Sequence, residues 1–303
     1  ADQLAQMRGA AMKVGQLISM DAGDMLPPEL AEIMARLRAD AHFMPGPQLK
    51  SVLTAAWGRD WLKRFTKFDT RPIAAASIGQ VHRAQTVDGR DLAIKVQYPG
   101  VRRSIDSDVN NVAALMRLSG AMPRELDIGP MLDEAKRELH DEADYEREGR
   151  YLTRFGELLA DDPAFRVPGL HADLTTRDVL AMDYVEGVGI ETLTSAPQET
   201  RDRVMTVLIG LVFRELFEFR MMQTDPNFAN YRYQPESGRI VLLDFGAARE
   251  FRPEMPEQFR RLMTRGLAGD RDGMRATIRE IGFFGDDTKA RHQQIMTDMF
   301  DQS

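Results

Sequence analysis

The chain has no cysteine, which excludes a disulfide framework, a thiolate nucleophile and any zinc site built on Cys. Its five histidines are scattered without metal-ligand spacing. Basic charge is also short: 40 Lys and Arg against 47 Asp and Glu leave a net charge of −7, which argues against nucleic acid as the main ligand. No uncharged run is long enough to span a bilayer. The longest apolar stretch, Val204 to Met222, is interrupted by Arg214, Glu215, Glu218 and Arg220, so it is expected to be a buried core helix. No secretory leader is expected, and the composition fits a reducing, cytoplasmic setting. The chain begins with Ala and stops in a polar run. It is therefore expected to be an excised piece, to which flanking targeting or membrane segments could belong. Internal repeats and low-complexity tracts are absent.

What is present is a change of period along the chain. Residues 1 to about 65 are expected to be helical, with Leu4, Met7, Ala11, Val14, Leu17 and Ile18 at three- and four-residue spacing. A break at Leu26-Pro-Pro-Glu29 precedes a helix carrying Leu30, Ile33, Met34 and Leu37, which Pro45-Gly-Pro47 is expected to end. Leu49 to Trp57 and Trp61 to Phe68 continue the helical part. From Pro72 the sequence turns strand-like. Small residues (Ala74-Ala-Ala-Ser-Ile-Gly-Gln80) lead to Val81–Val87, an Asp88-Gly89 turn signal and a partner strand, Asp91 to Val96. Helices are expected at about Arg102 to Leu118 and, as one element, about Pro130 to Leu159. A strand follows at Arg177 to Glu186, and further helices at Met255 to about Thr277 and Lys289 to Phe300.

The chemistry concentrates in two segments. Asp225 precedes the amide Asn230 by five residues, and fourteen residues later Asp244-Phe-Gly246 closes the apolar run Ile240 to Leu243. This is the catalytic-loop and D-F-G layout of a protein-kinase-like phosphotransferase. There one Asp orients or deprotonates the nucleophile, while Asn and the D-F-G Asp hold Mg²⁺ through oxygen. Ala93-Ile-Lys95 supplies a third element in the right order, behind a small-residue loop that would cover phosphates. A Lys inside an apolar strand is costly without a charge partner. Glu142, Glu146 and Glu148 are all candidates, and spacing does not choose among them. Backbone groups near Tyr184 and Val185 stand where adenine could bind, although a plain connecting strand fits equally well. No A-P-E signature follows Asp244.

Taken together these residues resemble the UbiB/ADCK family of atypical protein-kinase-like proteins linked to coenzyme Q. The similarity runs through Lys13-Val-Gly-Gln16 (K-x-G-Q), the Ala-rich loop, Ala93-Ile-Lys95, Glu142-Ala-Asp144 (E-x-D), Glu148, Gln223-Thr-Asp-Pro-Asn227 and Asp244-Phe-Gly246. It implies an α+β, two-lobed protein-kinase-like fold with an N-terminal helical extension packed over the active site. The parts would be residues 1–70 (K-x-G-Q extension), 71–186 (N-lobe with a helical insertion) and 187–303 (C-lobe). It further implies that Lys95 pairs with Glu148 and contacts ATP or ADP phosphates beside Ala74, Ala75, Ala76 and Ser77. Asn230 and Asp244 would hold Mg²⁺, and Asp225 would be the catalytic-loop Asp. Lys13 and Gln16 would lie across the acceptor side, with Lys13 meeting Glu142 and Asp144 in reserve. The function implied is a Mg²⁺-dependent ATPase or atypical kinase supporting ubiquinone biosynthesis, not a conventional protein kinase. The alternative is a nucleotide-binding pseudokinase scaffold for a lipid or a biosynthetic complex. Implied partners are an isoprenoid quinone precursor or membrane lipid, and ubiquinone-biosynthesis proteins. Attachment would be peripheral, with the apolar surface around Leu17, Ile18, Met20, Met25 and Leu26 as the docking candidate.

Overall fold

The computed structural model describes residues 10–11, 13–14, 43–76, 78–118, 128–225, 227–283 and 295. Gln16, Ser77, the surface around Leu17 to Leu26, the Leu30 to Leu37 helix and, apart from Ile295, the Lys289 to Phe300 helix lie outside the described residues. The chain divides into two compact units, one of residues 1–196 with 225–247 and one of residues 197–224 with 248–303. Helices and sheets are mixed, as α+β requires.

The first unit is built on an antiparallel sheet of β1 (Phe65–Phe68), β2 (Ala74–Ala75), β3 (Gly79–Thr86), β4 (Asp91–Gln97) and β6 (Val179–Asp183). One edge of β3 is shared by β1 and β2, and its other edge carries β4 and then β6. Gly89, at φ +90°, closes the β3–β4 hairpin, a conformation that favours glycine. Residues 92–97 of β4 are all buried, the pattern of a central strand covered on both faces. Lys95 therefore sits within the sheet, between Val81 and Leu180. Gly79 is needed for close packing: a Cβ there would stand 2.3 Å from the carbonyl oxygen of Val96.

A second sheet in the same unit runs β5 (Phe165–Arg166), β10 (Arg239–Leu242), β9 (Tyr231–Gln234) and β7 (Val188–Gly189). The Asp225–Asn230 loop enters this sheet at β9, and Asp244 leaves it after β10. Around the sheets pack α1 (Gly46–Trp57), α2 (Val101–Leu118), α3 (Gly129–Glu142) and α4 (Tyr145–Leu158).

Pro45-Gly-Pro47 opens α1, where proline's fixed φ and missing N–H suit the first helical turn, and the segment it is expected to end lies outside the described residues. Two local expectations change. Trp61 to Phe68 is a short 3₁₀ turn followed by strand β1. Its aromatic rings join a cluster with Trp57 of α1, Trp57 tilted against Phe65 at 5.4 Å and Phe65 edge-on to Phe68 at 5.5 Å, and the strand pairs with β3. The expected helix from Pro130 to Leu159 is two helices. The Asp144 side chain accepts from the backbone N–H of Arg147 at 2.9 Å, so it caps a new helix inside the acidic segment.

The second unit holds α5 (Gln198–Arg214), a π-turn at Glu215–Phe219, the antiparallel pair of β8 (Met221–Gln223) with β11 (Ala248–Glu250), α6 (Met255–Leu267) and α7 (Arg271–Ile281). The expected buried helix is only half buried: Val204, Leu208 and Leu211 are inside, while Met205, Ile209, Val212 and Phe213 are exposed. Arg220 ends the π-turn with φ +54°, and Glu215 is buried beside it. Burial pushes the Glu215 carboxyl up to about 8, against the lowering influence of a hydrogen bond from the Gln223 backbone.

A buried polar chain ties the segment before α1 to the first sheet. The Met44 N–H donates to Gln80 Oε1 at 2.8 Å, which turns the Gln80 amide nitrogen toward His82 Nε2, also at 2.8 Å. His82 must then accept at Nε2 and carry its proton on Nδ1, which donates to the Asp69 carbonyl at 2.8 Å. Protonation would place two donors face to face. Burial lowers the His82 pKa below its ordinary 6.5, although the Asp69 carbonyl pulls the other way. A histidine depressed in the folded state contributes stability fully above the unfolded pKa. That contribution shrinks as pH falls from 6.5 toward the folded value. Urea unfolding of the parent should accordingly weaken between pH 7 and about pH 5. His82→Gln should show a shallower decline, and equal slopes would remove His82 from the account.

Candidate active site

The hydrophobic core places two ammonium groups among carboxylates. Lys95 leaves β4 and reaches Glu148 on the first turn of α4, with Nζ 2.9 Å from Oε1 and 3.1 Å from Oε2. The same Nζ lies 2.9 Å from Asp244 Oδ2. Glu148 is 1% exposed and Lys95 7%. Of the three acidic candidates, Glu148 is thus the one brought to Lys95. Glu146 faces outward, and Glu142 serves elsewhere. The start of α4 at Tyr145 sets this register, since Tyr145 itself is fully buried with its ring centre 5.2 Å from Lys95 Nζ.

Burial by itself lowers the Lys95 pKa, but Asp244 and then Glu148 overcome it and hold the ammonium well above its usual range. Burial pushes the Glu148 carboxyl up to about 7. Lys95 works against that shift, and the neighbouring Asp244 charge adds to it. Asp244 is the half-buried partner. Burial raises it, yet the Lys95 ammonium and a hydrogen bond from the Gly246 N–H outweigh that and leave it below the usual carboxylate range.

The D-F-G backbone is held from both sides. Phe245 is buried with its ring 4.9 Å from Phe155 of α4, and Arg147 donates to the Gly246 carbonyl at 2.8 Å. In the neighbouring loop, Asn230 Nδ2 donates to the Asp225 carbonyl at 3.2 Å and to Asp225 Oδ2 at 3.3 Å. That orientation turns the Asn230 amide oxygen away from Asp225. The Asn227 side chain closes the loop by accepting from the Ala229 N–H.

Lys13 sits in a helical segment with Ala10, Ala11 and Val14, which are buried in the core. Its Nζ is 3.0 Å from Glu142 Oε1 and 3.0 Å from Glu138 Oε2. Burial alone lowers the Lys13 pKa, while Glu142 and then Glu138 reverse this and raise it. Asp144 is not placed at Lys13; it caps α4. Glu138 was absent from the sequence expectations, although it lies four residues before Glu142, the spacing that puts two side chains on one helix face. Gln97 and Arg102 were missed as well. Both donate to the Ala143 carbonyl, at 2.9 and 2.6 Å, and pin the break between α3 and α4.

One cavity of about 1100 Å³ collects these groups. Lys13, Lys95, Glu142, Glu148, Asp225, Asn230 and Asp244 all line it. Ala74, Ala75 and Ala76 also line it, where β2 pairs with β3 and the Ala76 N–H donates to the Gly79 carbonyl at 2.9 Å. Tyr184 and Val185 line it just past β6. Ser77 lies outside the described residues. Among the described residues, no three Asp, Glu, His or Cys side chains converge as an all-protein metal cage. Asn230 and Asp244 offer oxygen donors of the sparse kind that suits Mg²⁺ completed by substrate phosphates and water.

Removing Lys95 strands two carboxylates. Lys95→Ala should cost about 3–5 kcal/mol, the range for breaking a buried pair from one side. A carboxyl whose folded pKa exceeds the unfolded value of 4.5 contributes stability at low pH and loses it as pH rises through the folded value. With the ammonium gone, Glu148 moves further in that direction. The gap between parent and variant in urea unfolding should widen from pH 6 to about pH 8; a constant gap would mean that Glu148 remains ionised without Lys95.

Comparison with known proteins agrees with this architecture. The family model for the ABC1 atypical kinase-like domain matches residues 36–278. The chain is 41% identical over 282 residues to the mitochondrial atypical kinase COQ8 of Saccharomyces cerevisiae, covering 93% of this chain and 56% of that protein. It is also 41% identical over 288 residues to mitochondrial atypical kinase COQ8B of Rattus norvegicus, covering 95% and 54%. The chain thus spans about half the length of these relatives. Among solved structures, Rv3197 of Mycobacterium tuberculosis, determined in complex with erythromycin, superposes with a TM-score of 0.66 at 28% identity, covering 97% of this chain and 75% of that one. With a matching family model over most of its length and the K-x-G-Q, E-x-D and D-F-G segments in family order, the chain belongs to the ABC1 (UbiB/ADCK) family of atypical kinase-like proteins.

Proposed function

We propose that the chain is the nucleotide-binding part of a Mg²⁺-dependent atypical kinase or ATPase of the COQ8 type, acting in ubiquinone metabolism. The observation that supports this best is Lys95 held between Glu148 and Asp244 in a cavity that also receives Asp225 and Asn230. Phosphoryl transfer needs positioning and charge neutralisation more than covalent help, and these residue types supply both.

In this assignment Glu148 aims Lys95 at the nucleotide's phosphates beside Ala74–Ala76. Adenine lies against the backbone at Tyr184 and Val185. Asn230 and Asp244 would hold Mg²⁺ through oxygen; bound there, the ion neutralises phosphate charge. Asp225, oriented by the Asn230 amide, takes the proton of the attacking water or acceptor hydroxyl. Lys13 and Glu142 form the wall on the acceptor side, where a conventional kinase admits a polypeptide, so the expected acceptor is water or a small molecule. The names of the relatives place those proteins in mitochondria. For this chain we propose peripheral membrane attachment and a lipid or isoprenoid quinone precursor as partner. Among the described residues no helix is long and apolar enough to cross a membrane.

Two measurements test the assignment. A ligand specific for the folded state stabilises it, so Mg²⁺ with ADP should raise the melting temperature of the parent. Asp244→Asn should lose most of that rise, and equal shifts would remove Asp244 from the metal site. Mass spectrometry after incubation with Mg²⁺ and ATP should find ADP and phosphate, or a phosphorylated small molecule. Efficient phosphorylation of generic protein substrates would overturn the acceptor assignment.

Lys13 and Glu142 should also be coupled. Lys13→Ala and Glu142→Ala each leave one charge stranded, so the double variant should be more stable than the sum of the singles predicts, by about 0.5–3 kcal/mol. Additive losses would separate the two residues.

A further inference from the structure

The second sheet gathers positive charge on one face. Arg166 on β5 and Arg232 on β9 both stand opposite Val241 of β10, one on each side of it. Arg239 precedes Val241 by two residues on the same strand, so the alternation of side chains along a strand puts all three arginines on one face. The residues next to them, Phe165, Tyr233 and Ile240, belong to the other face and are buried. All three arginines line the cavity. Arg166 and Arg232 are exposed to solvent, and Arg239 is half-buried.

Part of this arrangement has a plain cause. Val241 is fully buried, and arginine stems can cover an apolar side chain. Hydrocarbon alone would do that, so the cover does not account for the charges. Among the described residues, none of the three guanidiniums has a carboxylate within ion-pair distance. Glu186 and Glu236 line the same cavity, but the partner of Glu186 is Arg83, at 3.9 Å. Arg232 uses part of its fork on the Gly187 carbonyl, at 3.1 Å. A Cβ on Gly187 would stand 3.0 Å from Arg232 Cβ and 3.0 Å from the Tyr233 carbonyl oxygen, so glycine lets this backbone lie close on β9. Like charges on neighbouring strand positions repel, and an anion within reach of all three relieves that cost. The planar forks of arginine match the paired oxygens of phosphate. Arg239 stands five residues before Asp244, roughly 16 Å of extended chain, so this face is apart from the Lys95 end where the nucleotide's phosphates are assigned.

We propose that the face formed by Arg166, Arg232 and Arg239 is a second anion site of the cavity, taking the phosphate group of another ligand. That group belongs to a soluble phosphorylated compound or to the head group of an anionic lipid; the chemistry that holds it is the same. The site goes beyond the nucleotide assignment and does not depend on it.

Calorimetric titration of the whole chain with inorganic pyrophosphate, at fixed ionic strength and without divalent metal, tests the site. Arg166→Met and Arg239→Met keep a stem over Val241 and remove one charge each. Each should weaken binding about tenfold, the size of a lost hydrogen bond to a charged group. Arg166→Lys keeps the charge without the fork and should fall between; it also serves if the methionine variant folds poorly. Parental affinity in both methionine variants would overturn the site and place the pyrophosphate elsewhere, at Lys95. Co-sedimentation with phosphatidylcholine vesicles, with and without phosphatidate, separates the two sources. Sedimentation that phosphatidate raises in the parent, and not in the variant carrying both methionines, assigns the site to a lipid head group. Arginine-dependent pyrophosphate binding without that gain assigns it to a soluble phosphate. A parent that shows neither overturns the site. The rise in melting temperature with Mg²⁺ and ADP should be equal in parent and variants. Its loss in Arg239→Met would put the nucleotide's phosphates on this face and overturn a second site. Its absence from the parent, with pyrophosphate binding still sensitive to the arginines, would sink the nucleotide assignment and leave the anion site standing.

Discussion

The constraint on which the first unit depends is the burial of the Lys95 ammonium in a central strand. A charge there is tolerable only if carboxylates come to it, and two do: Glu148 from α4 and Asp244 from the turn after β10. That requirement links three separate parts of the chain. It fixes where α4 must begin, since Glu148 sits on its first turn, and it draws the D-F-G turn to the antiparallel sheet. Phe245 against Phe155 and Arg147 on the Gly246 carbonyl then hold the turn against the same helix. The packing of α4 and the electrostatics of Lys95 are therefore one arrangement seen from two sides.

The short break between α3 and α4 does comparable work. A continuous helix from Gly129 to Leu158 would carry Glu142 and Glu148 at a rigid six-residue offset of about 240°, on different faces. Ending α3 at Glu142 and capping a new helix with Asp144 lets Glu142 serve Lys13 while Glu148 serves Lys95. The interruption leaves the Ala143 carbonyl in need of donors, which Gln97 and Arg102 provide. The E-x-D segment is thus a helix end, a helix start and one residue between them, and its two acids have unlike duties.

Much of this was legible in the residues because the signals were local. The Asp88-Gly89 hairpin, the strand carrying Lys95 and the order of Asp225, Asn230 and Asp244 can all be read from neighbours in sequence. The helical period of 130–159 was read as one element because a single Asp inside an acidic run does not stand out as a cap. Only its bond to the Arg147 N–H identifies it. Trp61 to Phe68 misled for a related reason, since apolar aromatics at short spacing fit a helix or a strand, and pairing with β3 decides. Glu138 was within reach of the helical spacing rule, but nothing in a sequence tells which of several acids on a helix will face a lysine some 125 residues earlier. The Gln80–His82 chain was out of reach altogether, because it depends on which end of an amide meets Met44.

The charge distribution around the cavity gives a physical reason for a divalent cation. Five basic side chains line it, Lys13, Lys95, Arg166, Arg232 and Arg239, against seven Asp and Glu, among them Glu142, Glu148, Asp225 and Asp244. The wall is electronegative before any nucleotide arrives, and a nucleotide's phosphates add to that charge in a partly dry site where repulsion is weakly screened. Two routes relieve it within the chemistry available. Glu148, pushed up to about 7 by burial, can take a proton near neutral pH. That removes one charge but weakens the hold on Lys95. Under the proposed assignment, a divalent cation held by Asp244 and Asn230 would remove two and leave Lys95 paired with Glu148. If the cavity takes phosphate as proposed, electrostatics would favour the second route, and a nucleotide that brings its metal would suit this wall better than a bare one.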